Sequence, residues 1–267
     1  EKIETAAFSG CGGLSGRLVL PKSLKELGER AFSNCNFQGE LVIPKYIQII
    51  PSTCFYDCQF SSLIFEEGSE LIKIESSAFH GNSRLCEPVV FPDGLITLSS
   101  GAFKYCSTLP EVVLSKSLTV IGQNAFNGCY GLSKITCNAT TPPIVGTGAF
   151  NGVAKDNFTL EVPESAVAKY QTANGWSDFR RISAHYDFSI SRPEMRVLNA
   201  EHSMTYLLRT PNGESAWSVE SCPEWVTVSP MSGVGKTEVT ITVSAMEKSE
   251  AVEFELLRDG TTSTYDK

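Results

Sequence analysis

A short pattern of a phenylalanine and, three residues later, a cysteine or its replacement recurs seven times along this chain, and alanine precedes the phenylalanine in six of the copies. Early copies read AAFSGC and RAFSNC, and a later one reads GAFKYC. Successive phenylalanines are 23 or 24 residues apart. A repeat of this length with one short strand per unit is typical of leucine-rich repeats, which stack into a solenoid. The seven phenylalanines are Phe8, Phe32, Phe55, Phe79, Phe103, Phe126 and Phe150.

A short apolar run rich in β-branched residues follows each copy, and such runs predict strands. One unit cannot bury its own apolar side, so we expect the units to stack, with their strands in a parallel sheet about 4.8 Å apart. Alternate residues then form two inward columns, and the phenylalanines form a third. The runs are 17–21, 40–44, 62–66, 88–92, 111–115, 134–138 and 159–163. One column is Leu18, Leu41, Leu63, Val89, Val112, Ile135 and Leu160. The other is Leu20, Ile43, Phe65, Phe91, Leu114, Cys137 and Val162.

An outward column lies between the two inward ones, and its first five members are apolar. Strand propensity alone could explain β-branched residues there. A contiguous exposed apolar stripe can also mark a binding site, so this column is a candidate binding face. The column is Val19, Val42, Ile64, Val90 and Val113, followed by Thr136 and Glu161. Charged residues flank it at Arg17, Glu40, Glu111 and Lys134.

The chain has nine cysteines, and five of them occupy one slot of the repeat. Asn82 and Val153 occupy the same slot in other units, and a slot that accepts valine is expected to be a packing position. Side chains in one column run parallel about 4.8 Å apart, which is wide for a disulfide, so we expect buried free thiols. The five are Cys11, Cys35, Cys58, Cys106 and Cys129.

The sequence contains no recognisable catalytic motif. Cys54 and Cys58 form a close pair, but a zinc site usually needs a second pair of ligands. His80 follows a repeat phenylalanine, and we expect it on the solvated surface. The formal charge of −8 argues against nucleic-acid binding, and no apolar run is long enough to span a membrane. We therefore expect a monomer without enzymatic activity, cofactor or metal.

The repeat ends before a different segment. Residues 164–173 are predicted to be a short helix, and Trp176, Phe179 and Ile182 supply bulk that would cap the solenoid over residues 163–183. From residue 184 onward, short alternating runs predict a small β-sandwich, complete or incomplete, over residues 184–267. The fold class is therefore mainly β. The chain opens in mid-pattern at EKIETAAFSGC, which indicates a mature or trimmed fragment.

The pattern I-x-x-x-A-F-x-x-C resembles the BspA-like leucine-rich repeats of Bacteroidetes and treponeme surface proteins, over residues 1–183. This resemblance implies a secreted or cell-surface protein, often an outer-membrane lipoprotein, used for adhesion. Its implied partner is a host or matrix protein, or a glycan.

The segment at residues 216–245 resembles the BACON domain, an immunoglobulin-like module of similar surface proteins. That resemblance implies carbohydrate or mucin binding, or a spacer role. Trp217 and Trp225 are then candidate sugar contacts, although core packing is the favoured role for both. Two hypotheses follow: a non-catalytic adhesion module that binds through its sheet face, or a glycan-capture protein that binds through the second domain.

Overall fold

The computed structural model describes residues 1–155 and 158–185, and a set of shorter segments beyond them. These segments are 189–190, 202–209, 216–219, 226–230, 232–234, 237–243, 255–258 and 261–264. The chain divides into two compact units, Glu1–His185 and Tyr186–Lys267. Whether these units are the two predicted domain types stays a prediction.

The first unit is a solenoid whose first wall carries the longer strands. These strands are β2 (Ser15–Gly16), β4 (Asn36–Ile43), β6 (Gln59–Phe65), β8 (Val89–Val90), β10 (Glu111–Leu114), β12 (Lys134–Cys137), β14 (Thr159–Pro163) and β15 (Ile182–His185). They form a three-stranded sheet in the order β2-β4-β6 and a five-stranded sheet in the order β15-β14-β12-β10-β8, and every pairing is parallel.

Two-residue strands form the second wall of the solenoid. They are β1 (Lys2–Ile3), β3 (Glu26–Leu27), β5 (Ile49–Ile50), β7 (Lys73–Ile74), β9 (Thr97–Leu98), β11 (Val120–Ile121) and β13 (Ile144–Val145). This wall is also divided, into β1-β3 and β13-β11-β9-β7-β5, and is parallel throughout. The strands of the first wall have four to eight residues in most coils, but β2 and β8 have only two, like the strands of the second wall.

The predicted inward columns form the core between these walls. Leu18 and Phe65 are half-buried, and every other member of the two columns is buried. The predicted fold class, a mainly β solenoid with parallel sheets, is confirmed. The prediction for the first run was wrong in its position, because the structure has a strand at Ser15–Gly16 and none at residues 17–21. Gly16 has a φ of +86°, which turns the chain out of the extended conformation there.

The repeat phenylalanines stack face to face along the solenoid. Five of the seven, from Phe32 to Phe126, are at most 2% exposed, whereas Phe8 is 40% exposed. Alanine precedes most of them and is buried in five coils, since little space remains beside the ring. The centroid distances from Phe8 to Phe150 are 5.3, 5.5, 5.3, 5.1, 5.7 and 5.8 Å.

The cysteine slot is more than a packing position, and in this respect the prediction was incomplete. The Cys35 thiol donates a hydrogen bond to the carbonyl of Phe8 at 3.0 Å, and Cys106 does the same to Phe79 at 3.2 Å. Asn82 replaces the thiol with an amide N–H that donates to the carbonyl of Phe55 at 2.7 Å. All eight described cysteines are free thiols, but the expected burial was wrong for Cys11, which is exposed in the first coil. The slot therefore supplies a hydrogen-bond donor to the neighbouring coil.

A short helical segment closes the described end of the solenoid. A 3₁₀ helix at Glu164–Ala166 leads into α1 (Val167–Thr172). Trp176 is fully buried, its ring lies 5.5 Å from that of Phe150, and its indole N–H donates to the Pro143 carbonyl at 2.8 Å. Trp176 is thus a packing residue. Ile182 belongs to β15, which adds a further strand to the first wall.

The described strands of the second unit form two antiparallel sheets of four strands each, as a β-sandwich requires. One sheet has the order β16-β17-β21-β19, and the other has the order β20-β18-β22-β23. The strands are β16 (Ser189–Ile190), β17 (His202–Arg209), β18 (Ala216–Val219), β19 (Val226–Ser229), β20 (Ser232–Val234), β21 (Thr237–Val243), β22 (Glu255–Arg258) and β23 (Thr261–Thr264). Among the described residues, no helix combines the length and apolar character that a membrane span needs.

Candidate functional site

The predicted outward column lies on the first wall, but its apolar side chains are unevenly exposed. The strand register aligns Val42 with Ile64, and Val90 with Val113. Val90 is 58% exposed and Ile64 is 44% exposed, whereas Val42 and Val113 are half-buried. Val19 is 76% exposed but lies outside the paired strands. The exposed apolar surface is therefore concentrated at Ile64 and Val90.

The column changes character beyond Val113. Thr136 comes next in register and is only 4% exposed, and Glu161 follows it. The apolar part of the face therefore ends at the coil of β12.

The charged residues that flank the column pair with one another across neighbouring coils. Arg17 forms an ion pair with Glu40. Lys134 contacts Glu111 at 3.4 Å and Glu161 at 3.2 Å. Partial burial alone would lower the pKa of Lys134, but the hydrogen bond to Glu161 and the charge of Glu111 raise it, so this lysine stays charged. The flanks of the face are thus close to electrically neutral.

A proline divides the first wall between β6 and β8. Pro88 aligns with Glu111 of the next coil, as the pairing of Val89 with Val112 shows. Proline has no backbone N–H and cannot donate to a sheet ladder. The Ser61 carbonyl instead accepts the N–H of Cys86 at 3.0 Å, and β6 and β8 belong to separate sheets. The division therefore follows directly from the sequence of this coil.

A cleft opens at this division, and we call it the β6/β8 cleft. Its volume is about 530 Å³. Ile64 and Val90 line it, together with Phe65 and Phe91, whose ring centroids are 5.9 Å apart. Pro88 completes the apolar lining. The cleft therefore lies between the two most exposed paired members of the predicted binding column.

Two turns supply the polar lining of the cleft. Residues 66–69 form one, and residues 92–94 form the other. The carboxylate of Glu66 accepts the backbone N–H of Lys45 at 2.9 Å, and Asp93 is paired with Lys116 at 2.5 Å. These carboxylates already have partners, and among the described residues no group of three potential ligands could hold a metal ion.

The cleft was not predicted from the sequence. The run 88–92 was assigned to the same continuous sheet as its neighbours, because its apolar pattern matches theirs. The available signal was Pro88 itself, since a proline within a sheet is confined to edge strands, to the first residue of a strand or to bulges. Only two residues of this run, Val89 and Val90, form a strand in the structure.

The second wall has a corresponding division between β3 and β5. Pro51 occupies the position that Glu75 and Ser99 occupy in the next two coils. Glu75 donates its backbone N–H to the Ile50 carbonyl at 2.8 Å and Ser99 donates to the Ile74 carbonyl at 2.9 Å, whereas proline has no N–H to donate. A cavity of about 750 Å³ lies there. Unlike the β6/β8 cleft, it is lined mainly by charged and polar side chains. These are Lys25, Glu26, Tyr46, Gln48, Glu70 and Glu75, with Leu27 and Ile49.

The remaining predicted sites have mixed outcomes. His80 was expected on the solvated surface, and this was wrong: it is half-buried and stacks on the Tyr56 ring at 4.5 Å. The pKa of His80 is lowered mainly by desolvation of the ring and, to a smaller extent, by the positive charge of Lys104. Trp217 lies on β18, but its side chain is outside the described residues, as is the whole of Trp225. Their role in sugar binding stays a prediction.

The sequence matches a family model described as the BspA type leucine rich repeat region, with six copies over residues 1–133 and 73–166. A leucine-rich repeat protein from Bacteroides ovatus has a similar solved structure, with 20% identity and a TM-score of 0.47. A leucine rich cell surface protein from Faecalibacterium prausnitzii matches with 19% identity and a TM-score of 0.37. Each match covers 68% of this chain, but only 55% and 62% of the two solved chains. No curated protein matches.

Proposed function

Because this chain belongs to the family of BspA-type leucine-rich repeats, we propose that it is a non-catalytic module that binds a protein partner at the cell surface. The binding face is the outward side of the first wall. One observation supports this most directly: the β6/β8 cleft lies between exposed apolar side chains, Ile64 and Val90, on an otherwise continuous sheet.

The physical basis is the combination of an apolar rim with a concave centre. Binding energy at protein interfaces concentrates in central pockets that a partner's side chain can fill and desolvate. A volume of about 530 Å³ is within the range of ligand sites and has room for one or two large apolar side chains. The paired charges at Arg17, Glu40, Glu111 and Lys134 then form a polar rim around it.

The partner is an extracellular protein, such as a host or matrix protein, and the chain acts on the outside of the cell. Support for this location comes from the resemblance of the repeats to surface proteins. Anchoring as an outer-membrane lipoprotein belongs to the same proposal. The second unit serves as a spacer or as an accessory binder of carbohydrate or mucin.

Binding to a panel of immobilised extracellular-matrix proteins, measured by biolayer interferometry, tests this proposal. Val90→Lys places a charge on the rim of the cleft without disturbing a buried residue, and we expect it to weaken binding at least about tenfold, or about 1.4 kcal/mol. Ile144→Lys is the matched control, because Ile144 is 73% exposed but lies on the second wall.

The proposal has a definite failing outcome. It is wrong if the unaltered chain binds none of the panel proteins. It is also wrong if Val90→Lys and Ile144→Lys bind with the affinity of the unaltered chain. Circular dichroism of both variants checks that the solenoid is intact.

A further inference from the structure

A cluster of aromatic side chains lies beside the phenylalanine column, away from the binding face of the first wall. Tyr56 and His80 each follow a repeat phenylalanine, in the third and fourth coils, and their rings stack 4.5 Å apart with an interplanar angle of 6°. Tyr105, in the fifth coil, meets the His80 ring edge-on at 5.3 Å and 83°. Three consecutive coils thus contribute one continuous aromatic surface.

Tyr105 adopts a backbone conformation that disfavours tyrosine. Its φ is +61°, in the left-handed region, which a bulky side chain rarely occupies. The other six coils place small or turn-forming residues at the same position of the repeat. Such an unfavourable conformation motivates a hypothesis of function at this residue. The equivalent residues are Gly10, Asn34, Asp57, Gly81, Gly128 and Gly152.

The glycines of the next coils make room for tyrosine rings to lie against the backbone. A Cβ atom at Gly128 would be 2.4 Å from Cδ1 of Tyr105, and one at Gly152 would be 3.0 Å from Cε1 of Tyr130. The same Gly152 position is 3.4 Å from the backbone nitrogen of Gly128, so the two rings rest on adjacent parts of the surface. Tyr105 remains 44% exposed and Tyr130 remains 67% exposed. We call these two rings the tyrosine platform.

The polar groups near the aromatic cluster differ in their access to a ligand on the platform. The Lys104 ammonium lies 4.9 Å from the centroid of the Tyr105 ring, within the range of a cation–π contact. Asp57 is exposed in the third coil. His80 Nδ1 is buried and has no hydrogen-bond partner among the described residues. Lys104 is therefore the polar group placed to reach a ligand on the platform, because Asp57 lies two coils before Tyr105 and His80 Nδ1 is buried.

We propose that the tyrosine platform binds the apolar face of a neutral pyranose ring, with Lys104 bonding one of its hydroxyl groups. The C–H bonds on one face of a pyranose carry partial positive charge and complement the negative face of an aromatic ring. The platform is a shallow surface, which suits a flat sugar ring better than an inserted side chain. This site is separate from the proposed protein-binding face and does not rest on it.

A glycan array that carries neutral and sialylated oligosaccharides, probed with the full chain, tests the proposal. We expect binding to neutral glycans, and Tyr105→Asn should weaken it at least tenfold in a titration with the best-bound oligosaccharide. Asparagine tolerates a positive φ and occurs at the equivalent position Asn34. The variant should therefore unfold at the same temperature as the unaltered chain or higher, which separates loss of the ligand contact from loss of the fold.

Tyr46→Asn is the matched control. Tyr46 resembles Tyr105 in being 43% exposed and in having lysine ammonium groups near its ring, at 5.6 and 5.9 Å from the centroid. It differs in its position within the repeat unit, which is not that of the platform tyrosines. Its substitution should leave glycan binding unchanged. Three outcomes overturn the proposal: no glycan binds, Tyr105→Asn binds as well as the unaltered chain, or binding is lost in Trp217→Ala and kept in Tyr105→Asn.

Discussion

Two columns of side chains run along the solenoid three residues apart in every coil, and they tolerate substitution very differently. The inner column is phenylalanine in all seven coils, whereas the other contains five cysteines, Asn82 and Val153. Phe103 stacks between Phe79 at 5.1 Å and Phe126 at 5.7 Å, so the ring needs its full size and shape. Two residue positions that recur with the same period along the chain can therefore be restricted by different physical causes.

The second column is held by hydrogen bonds to the first. Cys58 donates to the carbonyl of Phe32 at 3.1 Å, and Cys129 donates to that of Phe103 at 3.1 Å. Asparagine can make the same bond, and valine fills the space without making it. The columns are therefore coupled, because each donor binds the carbonyl of a phenylalanine in the preceding coil.

Alkaline pH should destabilise the folded chain through its buried thiols. Of the predictions made here, this one has the largest expected effect on the free energy of unfolding. Burial raises the pKa of Cys58 and Cys129 to about 12 and that of Cys137 to about 11. Burial also raises the pKa of Cys54 and Cys106 strongly. An unfolded thiol has a pKa of about 8.5, so above that pH the unfolded state loses protons that the native state keeps.

The stabilisation from these thiols is therefore complete below about pH 8.5 and is lost as the pH rises toward the native pKa values. Each buried thiol should lose about 1.4 kcal/mol of unfolding free energy per pH unit, or on the order of 2 kcal/mol by about pH 10. Urea unfolding at about pH 8 and about pH 10 measures this. Cys58→Asn is the control, because asparagine occupies the same slot at Asn82. Between the two pH values, this variant should lose less unfolding free energy than the unaltered chain, by the contribution of one thiol.

Truncation within the phenylalanine column should have the next largest effect. Phe103→Ala removes a fully buried ring from the middle of the stack, and we expect the free energy of unfolding to fall by about 3–5 kcal/mol. Phe8→Ala is the matched control, because Phe8 has a stacked neighbour on one side and is 40% exposed. Phe8→Ala should lower the free energy of unfolding by only about 1 kcal/mol. Equal losses in the two variants would show that stacking within the column is not what fixes this residue.

The same comparison shows how far the sequence could predict the structure. The spacing of the phenylalanines was enough to predict the solenoid. The alternation separated inward from outward residues in most runs, but Thr136 was expected to face outward and is 4% exposed, and the run 17–21 is not a strand. The β6/β8 cleft depends instead on the N–H groups that Pro88 and Pro92 lack, and apolar patterning does not register a missing N–H. The position of Tyr105 over Gly128 likewise depends on residues of two coils and on a backbone angle. The regular features could be predicted, and the candidate sites arise where the regularity is interrupted.

Replacing Asn82 with the cysteine of the other coils should stabilise the chain by a smaller amount. The side-chain amide of Asn82 donates to Phe55 at 2.7 Å and to Phe79 at 3.0 Å, but its Oδ1 is buried without a hydrogen-bond partner among the described residues. Leaving such an oxygen unpaired costs about 1–3 kcal/mol, of which the weaker thiol bond offsets a part. We expect Asn82→Cys to raise the free energy of unfolding by about 1 kcal/mol. A decrease would mean that the amide bonds outweigh the unpaired oxygen.

Val153 offers the finest test of the hydrogen-bond explanation, because it occupies the donor slot without a donor. Val153→Cys should let a thiol reach the carbonyl of Phe126, as Cys129 reaches that of Phe103. Because a thiol is a weak donor and loses some apolar contact relative to valine, we expect a gain of only about 0.5 kcal/mol in urea unfolding. Val153→Ala controls for the lost volume and should destabilise the chain by about 1 kcal/mol. If Val153→Cys destabilises as much as Val153→Ala, side-chain volume decides this slot and the hydrogen bond contributes nothing.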